Sequence, residues 1–173
     1  LPELQEQVEQ IIAEARRQGA SACEVAVSVE QGLSTTVRQR KVETVEFNRD
    51  QGFGITLYSG QRKGSASTSA TGPEAIRETV AAALAIAEHA SEDEFSGLAA
   101  ADLMPQHLVE LDLYHPWAIS PEQAVEIALE CEAAAFAADS RISNADGTSL
   151  SSHRGCRVYG NSHGFVGSYA STR

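Results

Sequence analysis

The segment that most constrains the fold runs from Leu33 to Ser69, where side chains alternate between apolar and polar over several short stretches. Alternation with a period of two is typical of β-strands that bury one face. The segment contains no Cys or His, and Glu43 and Glu46 are its one close pair of acids. A stretch so regular and so poor in reactive groups is predicted to be scaffold or binding surface rather than a reaction centre.

The same alternation begins earlier, at Cys23, so a meander of antiparallel strands is predicted over about residues 23–69. Glycine-containing stretches divide it. The sequence predicts a hairpin turn at Gln31-Gly32, a loop over residues 48–52 and a turn at Ser59-Gly60. The last strand of this series, Gly64–Ser69, consists only of small residues.

Three helices are predicted, over about residues 3–18, 73–89 and 121–138. Apolar side chains recur at helical spacing in the first two. The third has the strongest start signal, because Ser120 can cap the helix and Gln123 can complete a capping box. Its many alanines would let it lie close to a neighbouring element.

The order of these elements predicts an α+β fold with a mostly antiparallel sheet covered by helices, in one domain over residues 1–173. Further strands are expected over about residues 140–170. Residues 95–118 have no regular pattern, and Trp117 is expected to anchor this segment as it wraps across the domain.

Charge is distributed unevenly along the chain. The net charge is −1 over residues 1–70, −13 over residues 71–140 and +3 over residues 141–173. An acidic middle third repels phosphate backbones, so direct nucleic-acid binding is not expected. No apolar run approaches the ~20 residues that a membrane helix needs. We therefore expect neither a nucleic-acid nor a membrane partner.

Residues that commonly carry catalysis are sparse. The five histidines form no HExxH-like pair, and no serine lies in a G-x-S-x-G elbow. Three cysteines are too few for a disulfide framework, and the simplest interpretation is that they are buried and reduced. The sequence therefore predicts no catalytic residue and no metal ligand in this chain.

Four stretches carry a resemblance to a known family. They are VRQRKVETVEFNRDQGFGITLYSGQRKGSASTS, LDLYHPWAISPEQAVEIA, ISNADGTSLSSHRGCRVYGNSHGFVGSY and the terminal STR. Together they resemble the TldD/PmbA family, also called modulators of DNA gyrase, and more closely its PmbA (TldE) branch. Members of that family are longer, so the resemblance implies that this chain is an N-terminal portion from which the C-terminal domain is absent.

The resemblance also implies a function. In that family, TldD and TldE pair as a cytoplasmic metalloprotease, and a HExxxH motif in TldD binds the zinc ion. This chain has no HExxxH, so zinc is expected in a TldD-like partner and no cofactor here. The implied role is a non-catalytic subunit that shapes the chamber for unfolded peptide substrates. A pure assembly domain without substrate contact and an indirect modulator of DNA gyrase are the alternatives.

One stretch is a candidate for substrate contact. Peptidases often hold a substrate as an added β-strand, because main-chain hydrogen bonds accept any sequence. The small side chains of the strand that begins at Gly64 would let another backbone approach, which makes Gly64, Ser65, Ser67 and Ser69 the candidate binding residues. Alternatively, this strand is small because a helix lies over it.

Overall fold

The computed structural model describes residues 2–173, which form three α-helices and a five-stranded antiparallel sheet. In chain order the elements are α1 (Pro2–Arg17), β1 (Ala22–Arg38), β2 (Lys41–Ser59), β3 (Arg62–Thr68), α2 (Pro73–His89), α3 (Pro121–Ala138), β4 (Thr148–Asn161) and β5 (Val166–Thr172). The strand order is β3-β2-β1-β4-β5. The predicted α+β class is confirmed, and each helix begins and ends within one residue of its predicted bounds.

The chain divides into two compact units, which are described separately. The first unit contains residues up to 29, residues 50–112 and residues 156–170. The second contains residues 30–49, 113–155 and 171–173. No helix among residues 2–173 combines the length and the apolarity that crossing a membrane would require.

The core of the first unit lies between the sheet and the two helices α1 and α2. Each element contributes one apolar face, because side chains at helical spacing and at every second strand position point the same way. The fully buried larger side chains of this core are Val8, Ile11, Val25, Val27, Ile55, Leu57, Val80 and Val158. The alternate positions of the strands therefore face away from the helices.

Helix α2 lies directly on β3 at Gly64. A Cβ atom added to Gly64 would collide with the carbonyl oxygen of Ala83 and would lie 2.5 Å from the backbone nitrogen of Ala87. Both atoms belong to the helix backbone and cannot rotate away. The alternative prediction, that an overlying helix keeps this strand small, is therefore confirmed for Gly64.

In the second unit, the turn between β1 and β2 is held by a buried carboxylate. Gln39 and Arg40 both have positive φ angles, 49° and 62°, which side chains with a Cβ disfavour. Their backbone N–H groups each donate to Glu132 of α3, at 2.7 Å to Oε1 and 2.7 Å to Oε2. Glu132 is 1% exposed. Because water is excluded from its carboxylate, these two N–H groups supply the hydrogen bonds that the buried oxygens need.

The same helix starts as the sequence predicts. The backbone N–H of Gln123 donates to the Ser120 hydroxyl at 3.2 Å, and the N–H of Ser120 donates to the Gln123 side chain at 3.0 Å. The buried side chains of α3 are Ala124, Ala128 and Glu132, spaced four residues apart. This spacing aligns them on one face of the helix.

Two predicted interruptions are wrong. The hairpin turn expected at Gln31-Gly32 lies inside β1, and the loop expected over residues 48–52 lies inside β2. Both glycines serve close packing instead. A Cβ on Gly32 would overlap the imidazole ring of His153, and a Cβ on Gly52 would lie 2.7 Å from the carbonyl oxygen of Thr68.

The prediction that Trp117 anchors its segment is also wrong, since its side chain is 56% exposed. Backbone contacts to the end of β5 hold the segment. The N–H of Thr172 donates to the carbonyl of Leu113 at 2.9 Å, and the N–H of His115 donates to the Thr172 hydroxyl at 3.0 Å. Hydrogen bonds of main-chain groups to Thr172 therefore hold the segment in place, whereas the sequence analysis expected the Trp117 side chain to do so.

Replacement of Gly64 by Ala should destabilise the protein by about 3 kcal/mol, because the added methyl group forces α2 away from β3. Equilibrium denaturation in urea measures this change. Gly97→Ala is the matched control, since nothing lies within 4 Å of a Cβ at that exposed site. Equal stability of the two variants would contradict the close helix–strand contact.

Replacement of Glu132 by Gln should cost about 2 kcal/mol, because one amide oxygen replaces a charged acceptor of two N–H groups. Glu130→Gln makes the same chemical change at an exposed position of α3 and should have little effect. Thermal unfolding of both variants distinguishes them. If Glu132→Gln unfolds at the same temperature as the wild type, the carboxylate does not hold the turn.

Candidate functional site

A hollow of about 440 Å³ lies on the sheet of the first unit. Its lining comes from β1, β2, β3 and β4, namely Glu24, Val25, Ala26, Gly54, Ile55, Thr56, Ser65, Ala66, Ser67 and Tyr159. We refer to this surface as the Glu24 hollow. The volume falls in the range of roughly 300–1,000 Å³ that is usual for ligand sites.

Small residues at paired strand positions make the Glu24 hollow concave. Gly54 pairs with Ser67 and Thr56 pairs with Ser65 across β2 and β3. The hydroxyl groups of Thr56 and Ser65 lie 3.0 Å apart and form a hydrogen bond. Because these residues alternate with the buried Ile55, they lie on the sheet face that the helices leave uncovered.

The polar centre of the hollow is a carboxylate held by two phenols. The hydroxyl group of Tyr58 donates to Glu24 Oε1 at 3.0 Å, and that of Tyr159 donates to Glu24 Oε2 at 2.9 Å. The Tyr159 ring in turn contacts the Phe165 ring, with centroids 6.1 Å apart. Each carboxylate oxygen therefore receives one hydrogen bond from a donor that packing holds in place.

Both phenols stay protonated at neutral pH. Burial raises the pKa of Tyr58 to about 12, and its hydrogen bond to the Glu24 carboxylate adds to this shift. Burial also raises the pKa of Tyr159, with a further contribution in the same direction from Glu24. The two hydroxyl groups thus remain hydrogen-bond donors, which fixes the direction of the carboxylate.

The predicted binding residues are divided between the two faces of β3. Ser65 and Ser67 are exposed and line the Glu24 hollow. Gly64 is buried against α2 on the opposite face, and Ser69 is exposed one residue beyond the end of the strand. Substrate contact by these four residues stays a prediction, and of the four only Ser65 and Ser67 line the hollow.

The described residues bring no metal site together. Within residues 2–173, no three His, Cys, Asp or Glu side chains are close enough to hold a metal ion. All three cysteines are free, but Cys131 is exposed, so the expectation that every cysteine is buried is wrong. Burial raises the pKa of Cys23 to about 11, so its thiol is neutral and a poor nucleophile at pH 7.

A second, smaller hollow of about 280 Å³ lies in the second unit. Its lining is part aromatic and part basic, and includes Phe47, Trp117, His153 and Arg154. Beside it, Glu30 forms an ion pair with Arg173 and lies 4.0 Å from His153 Nδ1. The Glu30 carboxylate next to this hollow already has a cationic partner in Arg173, whereas no ion pair of the described residues involves Glu24.

Sequence reasoning missed the association of Glu24 with the two tyrosines. The three residues are far apart along the chain, and Glu24 and Tyr159 are separated by 135 positions. A weak signal was present, since Glu24 and Tyr58 each lie at polar positions of alternating strands. Nothing in the sequence indicated that β4 would bring a tyrosine to the same carboxylate.

Comparison with known proteins identifies relatives along most of the chain. Residues 23–87 match PmbA/TldA metallopeptidase domain 1, and residues 114–173 match the PmbA/TldA metallopeptidase central domain. Metalloprotease PmbA homolog from Haemophilus influenzae is 48% identical over 99% of this chain. Metalloprotease PmbA from Escherichia coli O157:H7 is 47% identical over 89% of it. The chain spans 38% and 34% of the lengths of these two relatives.

Solved structures share the fold at lower sequence identity. A Bacteroides thetaiotaomicron protein, named as a candidate modulator of DNA gyrase, superposes with a TM-score of 0.89 at 19% identity. It covers 99% of this chain, which matches 39% of that protein. TldE from Thermococcus kodakarensis gives a TM-score of 0.78 at 19% identity, covering 96% of this chain and 37% of its own.

Alkaline titration should detect the buried Tyr58 phenol as a component that ionises near pH 12. Because this pKa lies above the ordinary value of 10, the protonated phenol contributes stability below pH 10 that is lost as the pH rises towards 12. Phenolate absorbance measures the titration. Tyr58→Phe should remove the component, whereas Tyr169→Phe, at an exposed site, should leave it. Persistence of this titrating component in Tyr58→Phe would refute its assignment to Tyr58.

Proposed function

We propose that this chain, which belongs to the PmbA/TldD family of metallopeptidases, holds extended peptides for cleavage by another subunit. The cleaving subunit would be a TldD-like metallopeptidase, and the complex would act in the cytoplasm on unfolded peptides. This chain would shape the substrate chamber and take no part in bond cleavage. The names of the relatives and solved structures extend to metalloprotease PmbA, TldE and candidate modulator of DNA gyrase.

The observation that carries this proposal is that the lining of the Glu24 hollow extends to β3, the strand at one edge of the sheet. β3 lies at one end of the strand order and pairs only with β2 among the strands of residues 2–173. An edge strand presents unpaired backbone N–H and C=O groups along its free side. A peptide paired with that edge would place alternate side chains towards Ser65, Ser67 and the hollow.

The family's zinc ion does not fit the described part of this chain. Because no three suitable side chains lie together within residues 2–173, no step of the proposed role depends on a metal held here. We assign zinc to the TldD-like partner. The net charge of −13 over residues 71–140 also disfavours direct contact with DNA, so any effect on gyrase would be indirect.

A second candidate function is assembly without substrate contact, and one stretch of the second unit favours it. Residues 41–49 of β2 are exposed throughout. They include Val42, Val45 and Phe47, and Phe47 is 70% exposed. Exposed apolar side chains on a strand are typical of surfaces that bind another protein. Under this alternative the stretch would contact the partner subunit, and the Glu24 hollow would have no role in cleavage.

Replacement of Ser67 by Trp in the assembled complex should reduce kcat/KM for an unfolded peptide by about tenfold or more, equivalent to about 1.4 kcal/mol. The indole would fill the Glu24 hollow and block the approach of a second backbone. Ser67 is exposed, so the larger side chain need not disturb the core. Initial cleavage rates of a fluorogenic peptide measure the effect.

Two matched variants accompany this experiment. Ser67→Ala keeps the site small and should retain the wild-type rate, whereas Ser91→Trp adds the same bulk at an exposed serine outside the hollow. Co-elution with the partner subunit confirms that each variant assembles. Wild-type cleavage by an assembled Ser67→Trp complex would reject the peptide-holding role and favour the assembly role.

A further inference from the structure

Glu24 has capacity for further hydrogen bonds. An ionised carboxylate has about four acceptor sites, and the hydrogen bonds from Tyr58 and Tyr159 use one on each oxygen. Among the ion pairs formed by the described residues, none involves Glu24. Glu24 therefore lines the hollow with two neutral hydrogen-bond donors as its partners and with no ion pair.

The remaining lining of the Glu24 hollow is neutral. It consists of aliphatic residues, glycine, hydroxyl groups and one phenol, so Glu24 is the single formal charge among the lining residues. Walls of low polarity strengthen the field of a charge inside a cleft. A positively charged group is therefore the kind of ligand whose charge this lining complements.

The shape of the lining suits a long side chain that ends in a cation. Ala26 offers apolar surface and Gly54 offers accessible backbone beside the serines of β3, and an alkyl chain can lie against both. Lysine and arginine bury their methylene groups in this manner and keep the charged end apart. The small Ser65 and Ser67 leave the entry from the sheet edge open.

We propose that the Glu24 hollow is a subsite for the lysine or arginine side chain of an extended peptide. This inference rests on the proposed function and specifies its substrate class. The peptide backbone pairs along β3, and one of its side chains crosses Ser65 and Ser67 to place its cation against the Glu24 carboxylate. Tyr58 and Tyr159 act as positioning residues, because they hold the carboxylate in the orientation that receives the cation.

Binding of labelled peptides to the full chain tests the subsite. The probes are fluorescein-labelled, Nα-acetylated peptides of about seven residues, matching β3 in length, identical except for a central Lys or Gln. Fluorescence anisotropy gives each Kd. The Lys peptide should bind at least about tenfold more tightly than the Gln peptide, and rising salt should reduce this difference because it screens the charge.

Glu24→Gln should abolish the preference for the Lys peptide, because it should weaken the binding of the Lys peptide and leave that of the Gln peptide unchanged. Glutamine keeps the shape of the side chain and can still bond to the phenols. Glu78→Gln is the matched control, since it makes the same charge change at an exposed site on α2. Thermal unfolding of each variant confirms that it is folded. A preference that survives Glu24→Gln would overturn the subsite.

The other outcomes are equally decisive. Equal binding of the Lys and Gln peptides to the wild type would overturn the subsite and leave the peptide-holding role intact, with Glu24 a purely structural partner of its tyrosines. Binding of neither peptide would overturn both. A Gln peptide with a free α-amino group that binds as tightly as the Lys peptide would assign the hollow to the peptide terminus and overturn the side-chain proposal.

Discussion

The contact between Gly64 and helix α2 determines what the rest of the first unit can do. Because β3 carries no side chain at that point, the helix backbone lies directly on the strand and covers one face of the sheet edge. The alternate positions of the same strand are turned towards the uncovered face, because side chains alternate along a strand. Close packing on one face thus depends on the missing Cβ of Gly64, whereas the hollow on the other face depends on small residues at alternate positions of β2 and β3.

The predicted helices were accurate because their signals are local. Capping by Ser120, proline near the helix start and apolar spacing act within a few residues, so a sequence displays them directly. The α+β class followed from the order of such elements. The small-residue strand was also recognised, although its two faces turned out to serve different purposes.

The predictions from sequence were wrong where the role of a residue depends on a partner that is distant along the chain. Gly32 and Gly52 resemble turn residues, yet each is small because His153 or Thr68 occupies the neighbouring space. The real turn uses Gln39 and Arg40, which lack any turn signature and depend on a helix more than 90 residues away. The Glu24 hollow was missed for the same reason, since its tyrosines come from different strands.

The division of the chain into two interleaved units affects how its functions can be separated. The backbone passes from one unit to the other five times, and the longest stretch that stays within one unit is residues 50–112. The two matched family domains, 23–87 and 114–173, each contain residues of both units. Removal of either matched family domain therefore takes residues from both units, whereas a single-residue change can be confined to one of them.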